Sequence, residues 1–209
     1  MKISPDILPE LIQAVNNTVT EHADELTELD KAIGDGDHVI NLRRGLDALL
    51  AQQDEVAQLD WASAWQKIGM TCMSKIGGAS GSLFGTLFVS MAKVAKNQPV
   101  DVVVFAQAFS AGVESMKSRG KAEAGEKTML DVLIPVARVL QDSASNVELA
   151  DLLVQVKEAA QLGMESTRDM LATKGRASFL GERSIGHIDA GAKSSQLMIA
   201  ALVATLQSK

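Results

Sequence analysis

Apolar residues recur at helical spacing along almost the whole chain, and this pattern constrains the fold more than any other feature. Ile12, Val15, Val19, Leu26 and Leu29 lay one stripe along a first helix over about 8–28. Leu42, Leu46, Leu49 and Leu50 do the same over about 38–52, and Trp61, Trp65, Ile68 and Cys72 over about 60–75. Five more helices are predicted over about 80–96, 101–118, 127–142, 147–172 and 190–207. Val102–Phe105 has strand propensity, but Val104, Ala108, Ala111 and Val113–Met116 continue the 3.6-residue period, so helix is predicted there too. Pro135 falls inside the sixth helix and predicts a kink. There is no βαβ alternation, internal repeat or low-complexity linker. The expectation is an all-α protein, one domain over 1–209, with eight helices running up and down.

Composition narrows the function classes. Only 3% of the 209 residues are aromatic, against an aromatic-rich β-sandwich or a base-stacking RNA-binding sheet. A net charge of −6 and a pI near 5.1 argue against nucleic acid as a partner. A single cysteine, Cys72, excludes an intramolecular disulfide framework and a cysteine-rich zinc site. The opening MKISPDILPELIQAV lacks the uninterrupted apolar run of a signal peptide, and Leu197–Leu206 is too short to span a bilayer. A soluble, cytoplasmic protein with no membrane association is expected.

The glycines locate the chemistry. The first, third, fifth and seventh connections carry Gly34 and Gly36, Gly77 and Gly78, Gly120 and Gly125, and Gly175, Gly181 and Gly186. The alternate connections, about 53–59, 97–100 and 143–146, carry none. In an up-down course the odd connections share one end, so permissive backbone collects at one pole.

The first odd connection holds Asp30, Asp35 and Asp37 within eight residues. Carboxylates this close repel unless a cation or hydrogen bonds offset them, and hard oxygen ligands on a flexible turn suit Mg²⁺. The EF-hand pattern fails, since counting from Asp35 puts Ile40 at its glycine position. The plainer alternative is an Asp-Gly turn with Asp37 capping the second helix. His38 and Asn41 follow on one face of that helix's first turn, where they could hydrogen-bond an anion. The second, Ile76–Ser82, offers small residues and free amides at a helix start, a phosphate cradle. It is neither a Walker A loop nor a nucleophile elbow, and Gly77, Gly81 and Gly85 at spacing four also suit close helix packing. The third, Ser118–Met129, reads alone as a charged, solvated loop. The longest, about 173–189, contains Phe179, Leu180 and Ile185 and predicts a packed lid. Arg176 and Arg183 in it suit phosphate or carboxylate, or ion pairs with Glu182 or Asp189, and Asp189 is expected to cap the last helix. Acids for Mg²⁺ beside donors for phosphate describe a nucleotide di- or triphosphate site.

These stretches resemble the family of ADP-binding L subunits of dihydroxyacetone kinases. The matching residues are Ile33–His38 with Asn41 and Arg44-Gly45; Gly77–Gly81 with Leu83–Gly85; Ser118–Ala122; Gly125–Asp131; and Lys174–His187. They occur in family order over essentially the whole chain. The resemblance implies an eight-helix antiparallel barrel with nucleotide at one end under a lid. It implies two Mg²⁺ held by Asp30, Asp35 and Asp37. It places His38, Asn41, Ala79 and Ser80 on the phosphates, Gly120, Met129 and Arg176 along the nucleotide, and Asp189, Ala190 and Gly191 over it. Two positions depart from the family pattern: Val39 stands where Gly is usual, and Ala190 where Pro is common. The first is expected to alter packing beside the metal loop, the second to loosen the start of the last helix.

The implied activity is phosphoryl transfer to dihydroxyacetone held on a separate K subunit. In the phosphotransferase-dependent form, bound ADP is rephosphorylated in place by a phosphohistidine M subunit, and the chain's length favours this form. No residue is assigned as general base or nucleophile, because the resemblance puts the acceptor-activating groups on the partner. Alternatives are a subunit that exchanges ATP freely or serves another ketose or triose, and a non-catalytic nucleotide-sensing module that binds a transcription regulator.

Overall fold

The computed structural model describes residues 4–209; the first three residues, part of the opening stretch read for a signal peptide, lie outside it. All of its regular elements are helical. The long helices are α1 (Leu8–Glu21), α2 (Ala23–Ile33), α3 (His38–Leu50), then α5 (Trp61–Lys75) after the short α4 (Gln53–Ala57), α6 (Gly78–Ala95), α7 (Val102–Gly120), α8 (Leu130–Ser143), α9 (Leu149–Ser166) and α10 (Ala190–Gln207). Helix α1 packs on α3, α3 on α5, and each of α5 to α9 on the next helix; α10 returns to α1, which closes a ring. No helix among the described residues is long and apolar enough to cross a membrane.

Caps set several of these boundaries. Asp60 accepts a hydrogen bond from the Ser63 amide at 2.9 Å, Asp101 from Val104 at 2.9 Å and Asp189 from Ala192 at 2.7 Å. Each satisfies an amide that the first turn would otherwise leave open. The cap on α10 is therefore intact although Ala190 replaces the rigid proline. Val39 is 5% exposed and belongs to a small core of α1, α2, α3 and α10 with Val15, Val19, Leu26, Leu46 and Leu197. The main core runs around the ring through Leu42, Ile68, Phe84, Met116, Leu133 and Val156. Helices α5 and α6 approach closely at Gly69 and Gly85, where a Cβ on Gly85 would lie 2.8 Å from the Gly69 carbonyl oxygen.

The helix boundaries depart from expectation in four places. The first predicted helix breaks at His22 (φ −97°, ψ 15°) and continues to Ile33, so Asp30 sits on a helix rather than in a loop. Its stripe turns at the break: Leu26 is fully buried, while Leu29 is only half-buried. The glycine-free connection after α3 folds into α4 because Val56 buries completely. The sixth predicted helix starts at Leu130, not 127, since Lys127 is left-handed (φ 63°) and the Asp131 carboxylate accepts from the Gly125 and Thr128 amides. The seventh ends at Ser166, with a 3-10 turn to Asp169, because the Lys127 ammonium takes the Thr167 and Arg168 carbonyls. As expected, Pro135 lies inside the sixth predicted helix. Proline lacks the amide that would meet the Asp131 carbonyl, and that oxygen lies against α9 at Gly163, where a Cβ would come within 2.2 Å of it.

Candidate functional site

The odd connections meet at one cleft of about 380 Å³. Its wall includes the last turn of α2, the 34–38 loop, the first turns of α3, α6 and α10, the end of α7, Thr128–Leu130 and Lys174–Ala177. All the residues that the resemblance assigns to metal or nucleotide line it: Asp30, Asp35, Asp37, His38, Asn41, Ala79, Ser80, Gly120, Met129, Arg176, Asp189, Ala190 and Gly191. Arg183 does not.

Asp30, Asp35 and Asp37 each present a carboxylate oxygen, and these oxygens lie within 4.8 Å of one another. Asp30 is half-buried and the other two are exposed. Three acids so close are held by specific contacts. The second Asp30 oxygen accepts the His38 amide at 3.1 Å, so Asp30, not Asp37, caps α3 through its side chain. Arg176 Nε meets Asp35 at 2.7 Å, which brings the lid arginine to the acid cluster rather than to Glu182 or Asp189. Gly34 makes room for the arrangement: a Cβ there would sit 2.1 Å from Asp30 Oδ1. The cluster fits Mg²⁺, which takes one or two carboxylates and keeps waters and phosphate oxygens as its remaining ligands.

In the same cleft, α6 begins at Gly78 with no side chain capping it, and Gly77 to Ser80 line the wall. An uncapped helix start supplies open amides and the positive end of the macrodipole. Asn41 packs over this turn: a Cβ on Gly77 would approach its Oδ1 to 2.2 Å. Asn41 is 7% exposed, and its Oδ1 accepts from Arg44 at 3.2 Å. The His38 ring is held from the other side, its Nε2 lying 2.9 Å from the Ser194 hydroxyl of α10. Burial lowers the His38 pKa, against the opposing pull of Asp30 and Asp37. Burial also pushes Asp189 up to about 6, although the Ala192 amide and Lys127 favour its charged form.

The lid is a run of 3-10 turns over Arg176–Ser184, broken at Gly181. Ala172, Ala177 and half-buried Leu180 pack it on Ile33. Phe179 was expected in that packing, but it is 88% exposed, and Ile185 is exposed as well. A 3-10 turn places side chains at every third position on one face, so Ala177 and Leu180 point inward and Phe179 does not.

Three site features escaped the sequence reading. Arg119 lines the cleft, its Nε donating to Ser82 Oγ at 2.9 Å. Its place beside Gly120 in a matched stretch was the available signal. Ser194 as the partner of His38 lies 156 residues away and left no local trace. Lys127 lies in a charged loop that read as solvated, yet it is 1% exposed.

Known proteins resemble the chain over most of its length. Residues 32–204 match the model of the DAK2 domain. The chain is 46% identical over 187 residues to the ADP-binding subunit DhaL of PEP-dependent dihydroxyacetone kinase 1 of Listeria innocua, covering 90% of this chain and 89% of that one. It is 43% identical over 176 residues to the corresponding DhaL of Escherichia coli, covering 83% and 84%. Among solved structures, the dihydroxyacetone kinase of C. freundii, crystallised with AMP-PNP and Mg²⁺, matches with a TM-score of 0.75 at 23% identity. That match covers 100% of this chain and 35% of the C. freundii chain, and it establishes the fold. The extent of the domain match and the identity and coverage of these relatives establish that the chain belongs to the DAK2-domain family.

Proposed function

We propose that this chain is the nucleotide-binding subunit of a dihydroxyacetone kinase. It holds ADP or ATP with two Mg²⁺ and passes the phosphoryl group to dihydroxyacetone bound on a separate K subunit. A phosphohistidine M subunit then rephosphorylates the retained ADP. The observation that carries the reading is the three-carboxylate cluster sharing one cleft with an uncapped helix start. Such a cleft suits a ligand that is anionic and metal-bound at the same time.

Each residue has a role in this reading. Asp30, Asp35 and Asp37 hold the metal ions. When bound, Mg²⁺ supplies charge neutralisation at the transferring phosphoryl group. His38, Asn41 and the Ala79 and Ser80 amides orient the phosphates, with Ser194 and Arg44 fixing the two side chains. Met129, 7% exposed, and Gly120 line the base and ribose side. Arg176 exchanges Asp35 for a phosphate oxygen. Asp189, Ala190 and Gly191 cover the nucleotide at the start of α10. Phosphoryl transfer asks for alignment and charge stabilisation more than for a protein nucleophile, and none is assigned here.

The test is product formation with a K-type partner. Phosphoenolpyruvate with the phosphotransferase proteins is expected to sustain dihydroxyacetone phosphate synthesis from catalytic ADP, whereas ATP alone supports little turnover. Rapid turnover on ATP alone identifies the freely exchanging form instead. Binding to a transcription regulator that changes with nucleotide, with no phosphate transfer under either condition, identifies a sensing module.

A further inference from the structure

Among the described residues Lys127 has the largest fully buried side chain, and none of their carboxylates pairs directly with its ammonium. Its Nζ donates to three carbonyls: Thr167, Arg168 (3.4 Å) and His187. An ammonium has three N–H donors, so the carbonyls account for all of them. Two belong to the turn that ends α9, where carbonyls lack the i+4 amide of a continuing α-helix and a cation is favoured. The third belongs to the segment that leads into α10.

These acceptors stand at the two ends of the lid. The chain leaves α9 at Thr167–Arg168, runs through the lid and returns at His187. Around the same point the Gly186 amide donates to the Arg168 carbonyl at 2.8 Å, and the Asp189 amide to Thr167 Oγ1 at 3.1 Å. The excursion is thus an Ω-loop with a cross-linked neck, and Lys127 reaches it from a third element. Reaching it requires the left-handed backbone at Lys127 (φ 63°), a conformation unfavourable to a non-glycine residue and here fixed by the Asp131 carboxylate. One residue on, Thr128 and Met129 line the cleft, and Met129 Cε lies 3.5 Å from where a Cβ on Gly191 would stand.

We propose that Lys127 is a positioning residue that locks the neck of the 170–188 lid and thereby slows release of nucleotide from the cleft. The second half rests on the nucleotide reading above; the first half does not. Burial lowers the affinity of Lys127 for its proton, while Asp189, Asp169 and Asp131 act in the opposite direction.

The test is K127M, which keeps the unbranched bulk and removes the donors. Hydrogen exchange by mass spectrometry, on full-length protein without nucleotide, is expected to show 170–188 exchanging about tenfold faster or more, with α5 to α7 unchanged; tenfold corresponds to losing one charge-assisted hydrogen bond. Release of a fluorescent ADP analogue is expected to accelerate by about the same factor. Wild-type exchange in the lid overturns the proposal. So does loss of protection spread over all helices, or failure of both K127M and the donor-retaining K127Q to fold, since Lys127 then supports the whole fold. Faster lid exchange with unchanged release refutes the link to nucleotide. If wild-type protein binds no ADP analogue, the functional reading fails while the lid result stands.

Discussion

Gly34→Ala adds one methyl group where the structure leaves no space for it. The new Cβ would lie 2.1 Å from Asp30 Oδ1 and 2.8 Å from the Asp30 carbonyl oxygen. The conformation of Gly34 adds no left-handed strain, because φ is −128°, but the carbonyl contact requires a shift in the last turn of α2. The closest atom is the end of a side chain, so the carboxylate swings away, and relieving the contact with the backbone oxygen costs about 1–3 kcal/mol. Restoring van der Waals distance moves the carboxylate oxygen by roughly 1 Å. Metal–oxygen bonds to Mg²⁺ are about 2.0–2.1 Å with a tolerance near 0.2 Å, so a displaced Asp30 no longer coordinates. The shift also strains the bond from the His38 amide, a cap worth about 1 kcal/mol. The expected result is Mn²⁺ or Mg²⁺ affinity lower by about 10- to 100-fold, with a cooperative melt lowered by about 5–10 °C. Calorimetric metal titration beside a thermal melt measures both. Wild-type metal affinity in Gly34→Ala would refute the reasoning, because the cluster would then bind without Asp30 in its present position. A collapse of folding with no separable metal effect would refute it from the other side.

Other perturbations separate the remaining parts. Arg176→Ala removes the partner of Asp35 and is expected to speed ADP release in stopped-flow chase experiments; equal rates argue against a nucleotide contact. Gly85→Ala forces a Cβ against the Gly69 carbonyl oxygen and Met73, and is expected to cost about 1–3 kcal/mol in urea denaturation without altering metal affinity. Asp189 has its pKa raised from 3.8 to about 6, so the folded state holds this proton more tightly than the unfolded chain does. Its contribution favours folding below about pH 4 and is lost as pH rises through about 6. Asp189→Asn keeps a capping oxygen and removes this slope. In metal-free protein it should gain on wild type, on the order of 2–3 kcal/mol, between pH 4 and 7. Parallel stability–pH curves would contradict that.

Much of this molecule can be read from local pattern. The helical stripes carry through because burial on one face of a helix repeats every 3.6 residues. The cleft is legible because glycines, acids and helix starts fall in alternate connections, which an up-down course brings together. What escaped is non-local. Lys127 is charged and lies in a loop rich in Lys and Glu, so only its partners 40 and 60 residues away make it a core residue. Those partners shorten α9, and the left-handed turn beside Asp131 delays α8. Asp30 read as a loop residue because the break at His22 reorients the chain and lets α2 run on to Gly34. Phe179 read as lid packing because hydrophobicity alone does not say which face of a 3-10 turn it occupies.

The central claim is that Asp30, Asp35 and Asp37 hold metal-bound nucleotide in this cleft, and native mass spectrometry in ADP and Mg²⁺ tests it most directly. The account predicts one ADP and two Mg²⁺ per chain, with both lost together in Asp35→Asn and Asp37→Asn while the variants remain helical by circular dichroism. A wild-type chain that never takes up ADP, or variants that retain ADP and metal as wild type does, would contradict it.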